Sequence, residues 1–328
     1  MHDAGDRNHR ILFTLRPAGL PGPENFGADT TAVPTPGPGQ FLSRTIYLSI
    51  DPAARLTPGD IVSGETVAQV LESRHPEHRP GEFVVVRNGW QQFALSSGQG
   101  VRRLDPNSAP VSAALGVLGL PGLLGYSGII YVGEPRPGQT VVVSDATGPA
   151  GSTAGQAARI VGARAVGIAR SPEQCQYAVE QLGFAACIND RSPDFGAQLR
   201  GACPDGIDVY FDTVGGAVLT HALECLAPHA RVVLGGLSEV YNQYATFAPL
   251  LKARATVQGI FVEDHLDRLP ELERVVGSWI RAGLFHYRED LAEGLAAAPA
   301  ALCRVLRGDS FGKVLVRVAP EHLGTDKR

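Results

Sequence analysis

The chain has 328 residues, enough for two domains of ordinary size, and a 44% hydrophobic content with 39 glycines and 24 prolines fits a folded, turn-rich protein. A net charge of −4 and a pI of about 6.1 offer no basic surface to nucleic acid or an anionic membrane, so neither is an expected partner. No apolar stretch is long enough to span a bilayer, residues 1–10 hold no signal-peptide core, and Cys175, Cys187, Cys203, Cys225 and Cys303 include no C-x-x-C pair, so a reducing, cytoplasmic setting is expected.

In chain order, residues 11–118 read as mainly β. Strand-like segments at 11–14, 45–48, 64–72 and 82–86 are separated by turn clusters such as Leu20-Pro21-Gly22-Pro23 and residues 34–39. The polar, proline-flanked loop 75–80 carries His75 and His78 without a nearby cysteine, so both read as solvated loop residues rather than metal ligands. Residues 115–125 are glycine-rich and apolar and suit a domain junction, with Tyr126 just beyond it as a candidate for the cofactor or substrate side. From Thr140 the pattern becomes strand and helix in alternation. Strands are predicted at 140–145, 164–169, 185–189, 207–211, 230–235 and 256–260, and helices at 150–162, 171–183, 193–201 and 215–227. Five or six strands with short crossovers make a doubly wound parallel sheet, so the fold class is α/β. Residues 290–307 read as one alanine-rich helix, and 312–318 as a strand returning to the first domain.

The most informative run is 140–170. A buried strand through Val141, Val142 and Val143 leads into Ala146-Thr147-Gly148-Pro149-Ala150-Gly151, then a small-residue helix and a second apolar strand. This is the order a dinucleotide site requires: glycines let the backbone approach a pyrophosphate, and the following helix offers its free N–H groups and positive dipole end. Ala146, Gly148, Pro149, Ala150 and Gly151 are therefore cofactor-binding candidates. An NAD site usually ends the second strand on an acid that holds the ribose diol; here the strand ends Ile168-Ala169-Arg170-Ser171. Arg170 can pair with a 2′-phosphate and Ser171 can add a donor, so NADP(H) is the expected cofactor.

Further residues carry a resemblance along nearly the whole chain. They include Ser49-Ile50-Asp51-Pro52, Asn88-Gly89-Trp90-Gln91-Gln92-Phe93-Ala94, the run from Leu115 to Gly122, and the turn from Ala146 to Ser152. They continue with Leu182-Gly183-Phe184, the run from Gly206 to Asp212, Val214-Gly215-Gly216, Tyr241-Asn242, Tyr287-Arg288-Glu289-Asp290 and Phe311-Gly312-Lys313. The sequence resembles the medium-chain dehydrogenase/reductase superfamily, in the zinc-free branch of leukotriene B4 dehydrogenase, prostaglandin reductases and bacterial curcumin reductase.

The resemblance implies a GroES-like, mainly-β catalytic domain from residues 1–118 and 291–328, around a Rossmann NADP-binding domain at 119–290. It also implies a homodimer, NADPH, and reduction of the carbon–carbon double bond of an α,β-unsaturated ketone or aldehyde. Quinone reduction, a biosynthetic reductase/cyclase, or a cofactor-binding protein without activity are the alternatives. The resemblance sets Ala53 and Arg55 at the substrate site, where the family's D-P-Y-M-R-G is Asp51-Pro52-Ala53-Ala54-Arg55-Leu56 and the loop that follows is short. It sets Gln174, where relatives carry lysine, and Asn189, followed here by Asp190 rather than tyrosine, at the 2′-phosphate. Phe261 and Val262 fall in the segment that meets the nicotinamide amide, and Ser310 falls among the cofactor contacts.

Reducing a conjugated alkene requires hydride at the β carbon, a donor to the enolate oxygen and a proton for the α carbon, and needs no metal if the donors are placed beforehand. Tyr241, just after the strand at 230–235, is the candidate donor and proton relay. Asn242 beside it either bonds ribose or substrate or caps a chain reversal. Trp90 either walls the substrate site or belongs to the core. Zinc-dependent relatives carry a G-H-E run where this chain has Ser63-Gly64-Glu65-Thr66, so no metal is expected.

Overall fold

The computed structural model describes residues 7–51, 57–236 and 248–321. They divide into two units, one within Met1–Leu115 and Glu289–Arg328, the other Gly116–Arg288.

The N-terminal segment is β throughout. Strand β1 (Arg7–Phe13) pairs antiparallel with β2 (Phe26–Ala32). Then β3 (Phe41–Ser49), β4 (Thr66–Ser73), β5 (Phe83–Val86) and β7 (Arg102–Leu104) form an antiparallel run, with β6 (Phe93–Ser96) also on β3. Phe13, Leu48, Val62 and Trp90 fill one core of this unit, and Ile46, Val67, Phe83 and Leu115 another.

The central unit opens with helix α1 (Leu120–Ser127) and then alternates β8 (Thr140–Val143), α2 (Pro149–Ile160), β9 (Arg164–Ala169), α3 (Pro172–Glu180), β10 (Ala186–Asn189), α4 (Phe195–Ala202), β11 (Ile207–Asp212), α5 (Gly216–Glu224) and β12 (Leu226–Leu234). Helix α6 (Ala248–Ala253), β13 (Thr256–Gly259) and α7 (Leu269–Arg281) complete it. The six strands are all parallel in the order β10-β9-β8-β11-β12-β13. A parallel sheet is covered on both faces, and successive residues of β8 show it: Val141 and Val143 enter the core beneath α2, Val142 the core beneath α4 and α5. Strand order reverses at β8, with β9 on one side and β11 on the other, and such a reversal opens a crevice at the carboxyl ends of the strands. Small residues let α2 lie close to this sheet: a side chain at Gly155 would run into the Phe184 ring.

The chain then returns to the first unit through β14 (Glu289–Glu293), α8 (Ala298–Arg307) and β15 (Lys313–Arg317). The single helix predicted over 290–307 is corrected here. Residues 289–293 pair parallel with β15, which is itself antiparallel to β3, and Gly294 at φ 79° separates that strand from the helical residues. Alanine content favours a helix locally, but the hydrogen-bonding edge of β15 claims the segment. Helix α7 was missing from the sequence reading although Leu272, Val276 and Trp279 repeat at helical spacing. No helix among the described residues is long and apolar enough to cross a membrane.

Candidate cofactor site

The turn between β8 and α2 is built for an anion. Gly148 is the N-cap residue of α2 and Pro149 opens the helix, where a missing N–H costs nothing. The Ala146 N–H donates to the Ile168 carbonyl at 2.9 Å, which ties the turn to β9. A side chain at Gly151 would collide with the carbonyl oxygens of Ser144 and Asp145, so only glycine lets the helix start this close to the strand. The neighbouring loop is pinned as well. The Thr213 N–H donates to Ser144 Oγ at 2.8 Å, and the buried Asp212 carboxylate accepts from the N–H groups of Val214 and Gly215. The first-turn amides of Ala150 and Gly151, with the positive end of α2, fit a pyrophosphate.

The second corner lies at the end of β9. The Arg170 N–H donates to Gln174 Oε1 at 2.9 Å, and Ser171 caps α3 by accepting the Gln174 N–H at 3.2 Å. Gln174 is buried, and its side chain positions Arg170 through that bond. Asp190 continues the β10 ladder, its N–H donating to the Ala169 carbonyl at 2.9 Å. Asn189 turns its side chain back on its own loop and accepts the Arg191 N–H at 3.0 Å.

One member of this corner was missed in the sequence reading. Asp145 takes a left-handed backbone, φ 45°, at the start of the glycine-rich turn, with its side chain beside Gly148 and its charge coupled to Arg170 and Asp190. Dense surrounding protein pushes its carboxyl up to about 6; Arg170 opposes that shift, Asp190 adds to it, and the Gly148 N–H opposes it. The residue nevertheless remains exposed, so water still screens this penalty. An acid leading into a glycine-rich turn was the available signal.

The remaining candidates fall in different places. Trp90 is 1% exposed and stacks on Phe26 at 5.6 Å between ring centres, within a core cluster of the first unit. Tyr126 is buried and donates to Glu271 Oε1 at 2.8 Å, alongside Tyr131, which commits its hydroxyl within the central unit. Phe261 is 75% exposed just after β13, and Val262 begins the short turn that follows. Ser310 lies half-buried between α8 and β15. Ala53, Arg55, Tyr241 and Asn242 lie outside the described residues. Asp51, which leads the Ala53 segment, joins Lys313 at 2.5 Å and accepts from Ser49 Oγ at 2.5 Å, so two of the resemblance motifs meet in one ion pair. The solvated histidine loop is corrected: His78 is buried against Phe41, with the two ring centres 4.7 Å apart, and His75 packs on His78. Among the described residues no three His, Cys, Asp or Glu side chains are grouped to hold a metal.

Comparison with known proteins gives the family. Residues 149–277 match a family model described as a zinc-binding dehydrogenase, and residues 9–104 match one described as the N-terminal domain of oxidoreductase. The chain is 40% identical over 336 residues to the NADPH-dependent curcumin reductase of Escherichia coli (strain K12), covering 95% of this chain and 97% of that protein. It is 33% identical over 319 residues to prostaglandin reductase 1 of Rattus norvegicus, covering 91% and 95%. The crystal structure of CurA in complex with NADPH from Vibrio vulnificus superimposes with a TM-score of 0.89 at 36% identity, covering 95% of this chain and all of that one.

The chain belongs to the zinc-independent medium-chain dehydrogenase/reductases.

The match named for zinc covers 149–277, within the central unit, and not the Ser63-Gly64-Glu65 stretch where zinc-dependent members of the superfamily carry histidine. As a medium-chain dehydrogenase/reductase, the chain joins a mainly-β N-terminal domain to a parallel Rossmann sheet.

Proposed function

We propose that the chain is an NADPH-dependent reductase of the carbon–carbon double bond in an α,β-unsaturated ketone or aldehyde, with hydride delivered to the β carbon. The observation that carries this reading is similarity along nearly the whole chain to curcumin and prostaglandin reductases. NADPH, when bound, supplies the hydride. The amides opening α2 hold its pyrophosphate, and the Arg170 guanidinium meets its 2′-phosphate, with Ser171 beside it. Tyr241, which follows β12 in sequence, donates to the carbonyl oxygen as charge builds there and relays the proton, with Asn242 adjacent. Residues 119–290 form the cofactor-binding domain, and the segments 1–118 and 291–328 supply the substrate side through Ala53 and Arg55. Five free cysteines support a reducing, cytoplasmic setting, and the family resemblance supports a homodimer, which light scattering or analytical ultracentrifugation tests.

The reaction is tested by following NADPH consumption with enones, alkenals and quinones and identifying the product by mass spectrometry. A saturated ketone or aldehyde is expected; consumption with quinones alone would overturn the reading. The cofactor corner is tested by Arg170→Ala. Loss of one guanidinium–phosphate contact of about 1.5–3 kcal/mol should weaken NADPH by roughly tenfold or more while sparing NADH. Unchanged NADPH affinity would remove Arg170 from the site.

A further inference from the structure

Two tyrosines converge on one carboxylate that the proposed reaction does not use. Tyr126 stands in the last turn of α1, and Tyr131 in the π-helical turn Gly128–Gly133 that extends it. The Glu134 N–H donates to the Ile129 carbonyl, five residues back, at 2.8 Å, and this wider turn brings Tyr131 round to the side of Tyr126, with the ring centres 6.2 Å apart. Both hydroxyls donate to Glu271 in the first turn of α7, that of Tyr126 to Oε1 at 2.8 Å and that of Tyr131 to both oxygens at 2.6 Å. The Arg268 guanidinium covers the Tyr131 ring at 3.7 Å and lies 3.9 Å from Glu271 Oε2. The Tyr131 hydrogen bond holds the Glu271 carboxyl below its ordinary value against burial, with Tyr126 and Arg268 assisting, so the acceptor is ionised at neutral pH.

The helix held in this way abuts the parts of the central unit that handle the cofactor. A side chain at Gly125 would begin 2.2 Å from the Ala150 carbonyl oxygen, so α1 lies directly against the first turn of α2, whose amides fit the pyrophosphate. Leu124 reaches the end of β12, where a side chain at Gly235 would begin 3.3 Å from it and 3.5 Å from Ile260. Ile260 leads into Phe261 and Val262, and the turn Val262–Arg268 runs on into α7. Glu271 therefore ties the chain that follows the nicotinamide segment to the helix that abuts the pyrophosphate turn. Apolar packing does not replace this tie: Tyr126 is 4% exposed, and without an acceptor its hydroxyl would be buried unpaired.

We propose that Glu271 is a positioning residue for hydride transfer: through Tyr126 and Tyr131 it holds α1 between the pyrophosphate turn and the Phe261–Val262 segment, and so fixes the nicotinamide half of NADPH without touching it. The 2′-phosphate corner at Arg170, on the other side of β8, is outside its reach. The inference rests on the proposed reductase function and on the resemblance that sets Phe261 and Val262 at the nicotinamide amide.

The full-length protein and its Glu271→Ala, Glu271→Gln and Tyr126→Phe variants, each shown to be folded by thermal melting, are titrated with NADPH and with adenosine 2′-monophosphate, which carries the 2′-phosphate corner's ligand and no nicotinamide. Turnover of an enone is measured at saturating NADPH. Glu271→Ala should bind NADPH about tenfold more weakly, the scale of a hydrogen bond to a charged group, and lose roughly ten- to a hundredfold in kcat through misplacement, with wild-type affinity for adenosine 2′-monophosphate. Glu271→Gln keeps one acceptor oxygen and should recover most of both losses, and Tyr126→Phe should show the same pattern at smaller size. A Glu271→Ala variant with a lowered melting temperature but wild-type NADPH affinity and kcat overturns the proposal and leaves Glu271 a purely structural residue. Equal weakening of both ligands overturns it as well, since the change would then not be confined to the nicotinamide half. Failure of the reductase reading shows separately, in the wild type: a protein that neither binds NADPH nor reduces an enone overturns that reading and this proposal with it.

Discussion

Replacing Asp145 with asparagine isolates the charge in the glycine-rich turn. The amide keeps the shape of the side chain, accepts the Gly148 N–H, and tolerates the left-handed backbone that Asp145 adopts. The carboxyl is displaced from 3.8 to about 6, and at 1.36 kcal/mol per unit that sets a ceiling of about 3 kcal/mol on the cost of ionising it in the folded protein. Because the residue is exposed, solvent screening reduces this to about 1 kcal/mol. The sign follows from proton binding. The folded pKa lies above the unfolded one, so the folded state holds more protons between pH 3.8 and about 6, and stability falls as pH rises through that window. Asp145→Asn should remove this loss and be more stable than wild type by about 1 kcal/mol at pH 7, with the difference shrinking toward pH 4. The same charge opposes a cofactor phosphate and competes for Arg170, so the variant should also bind NADPH severalfold more tightly at pH 8 than wild type, and the two should converge near pH 5. Urea denaturation and NADPH fluorescence titration across this range measure both effects. A variant that binds NADPH no more tightly at pH 8, or whose stability advantage does not change with pH, would refute the reasoning.

Three further outcomes are expected. Tyr241→Phe should lower kcat on an enone by roughly a hundredfold or more, the cost of one oxyanion donor at about 2.7–4 kcal/mol, and leave NADPH affinity unchanged; wild-type kcat with a rate-limiting chemical step would make Tyr241 a packing residue. Enone turnover should survive prolonged chelation, because Ser63-Gly64-Glu65 stands where zinc-dependent relatives carry histidine, and loss of activity restored by zinc would contradict this. Gly155→Ala should destabilise the protein by about 1–2 kcal/mol in urea, since the methyl group meets the Phe184 ring and overpacking outweighs the gain in helix propensity.

Turn chemistry and periodicity are local, and what depends on them was legible in the chain. Val141 to Val143, the glycines at 148 and 151, and the small residues of α2 announce strand, turn and helix in order, and Ala169-Arg170-Ser171 announces a guanidinium where an acid would favour NAD. Side-chain direction and strand pairing depend on residues far away in sequence, and these only the tertiary structure decided. The resemblance sets Gln174 at the 2′-phosphate, and the structure turns its carbonyl oxygen onto the Arg170 backbone, a bond no local pattern announces. Residues 289–293 carry helix-forming composition, yet they pair with β15 because its edge is open to them. His78, polar and flanked by a loop, packs on Phe41. Asp145 is an ordinary acid until the turn brings its charge within range of Arg170 and Asp190.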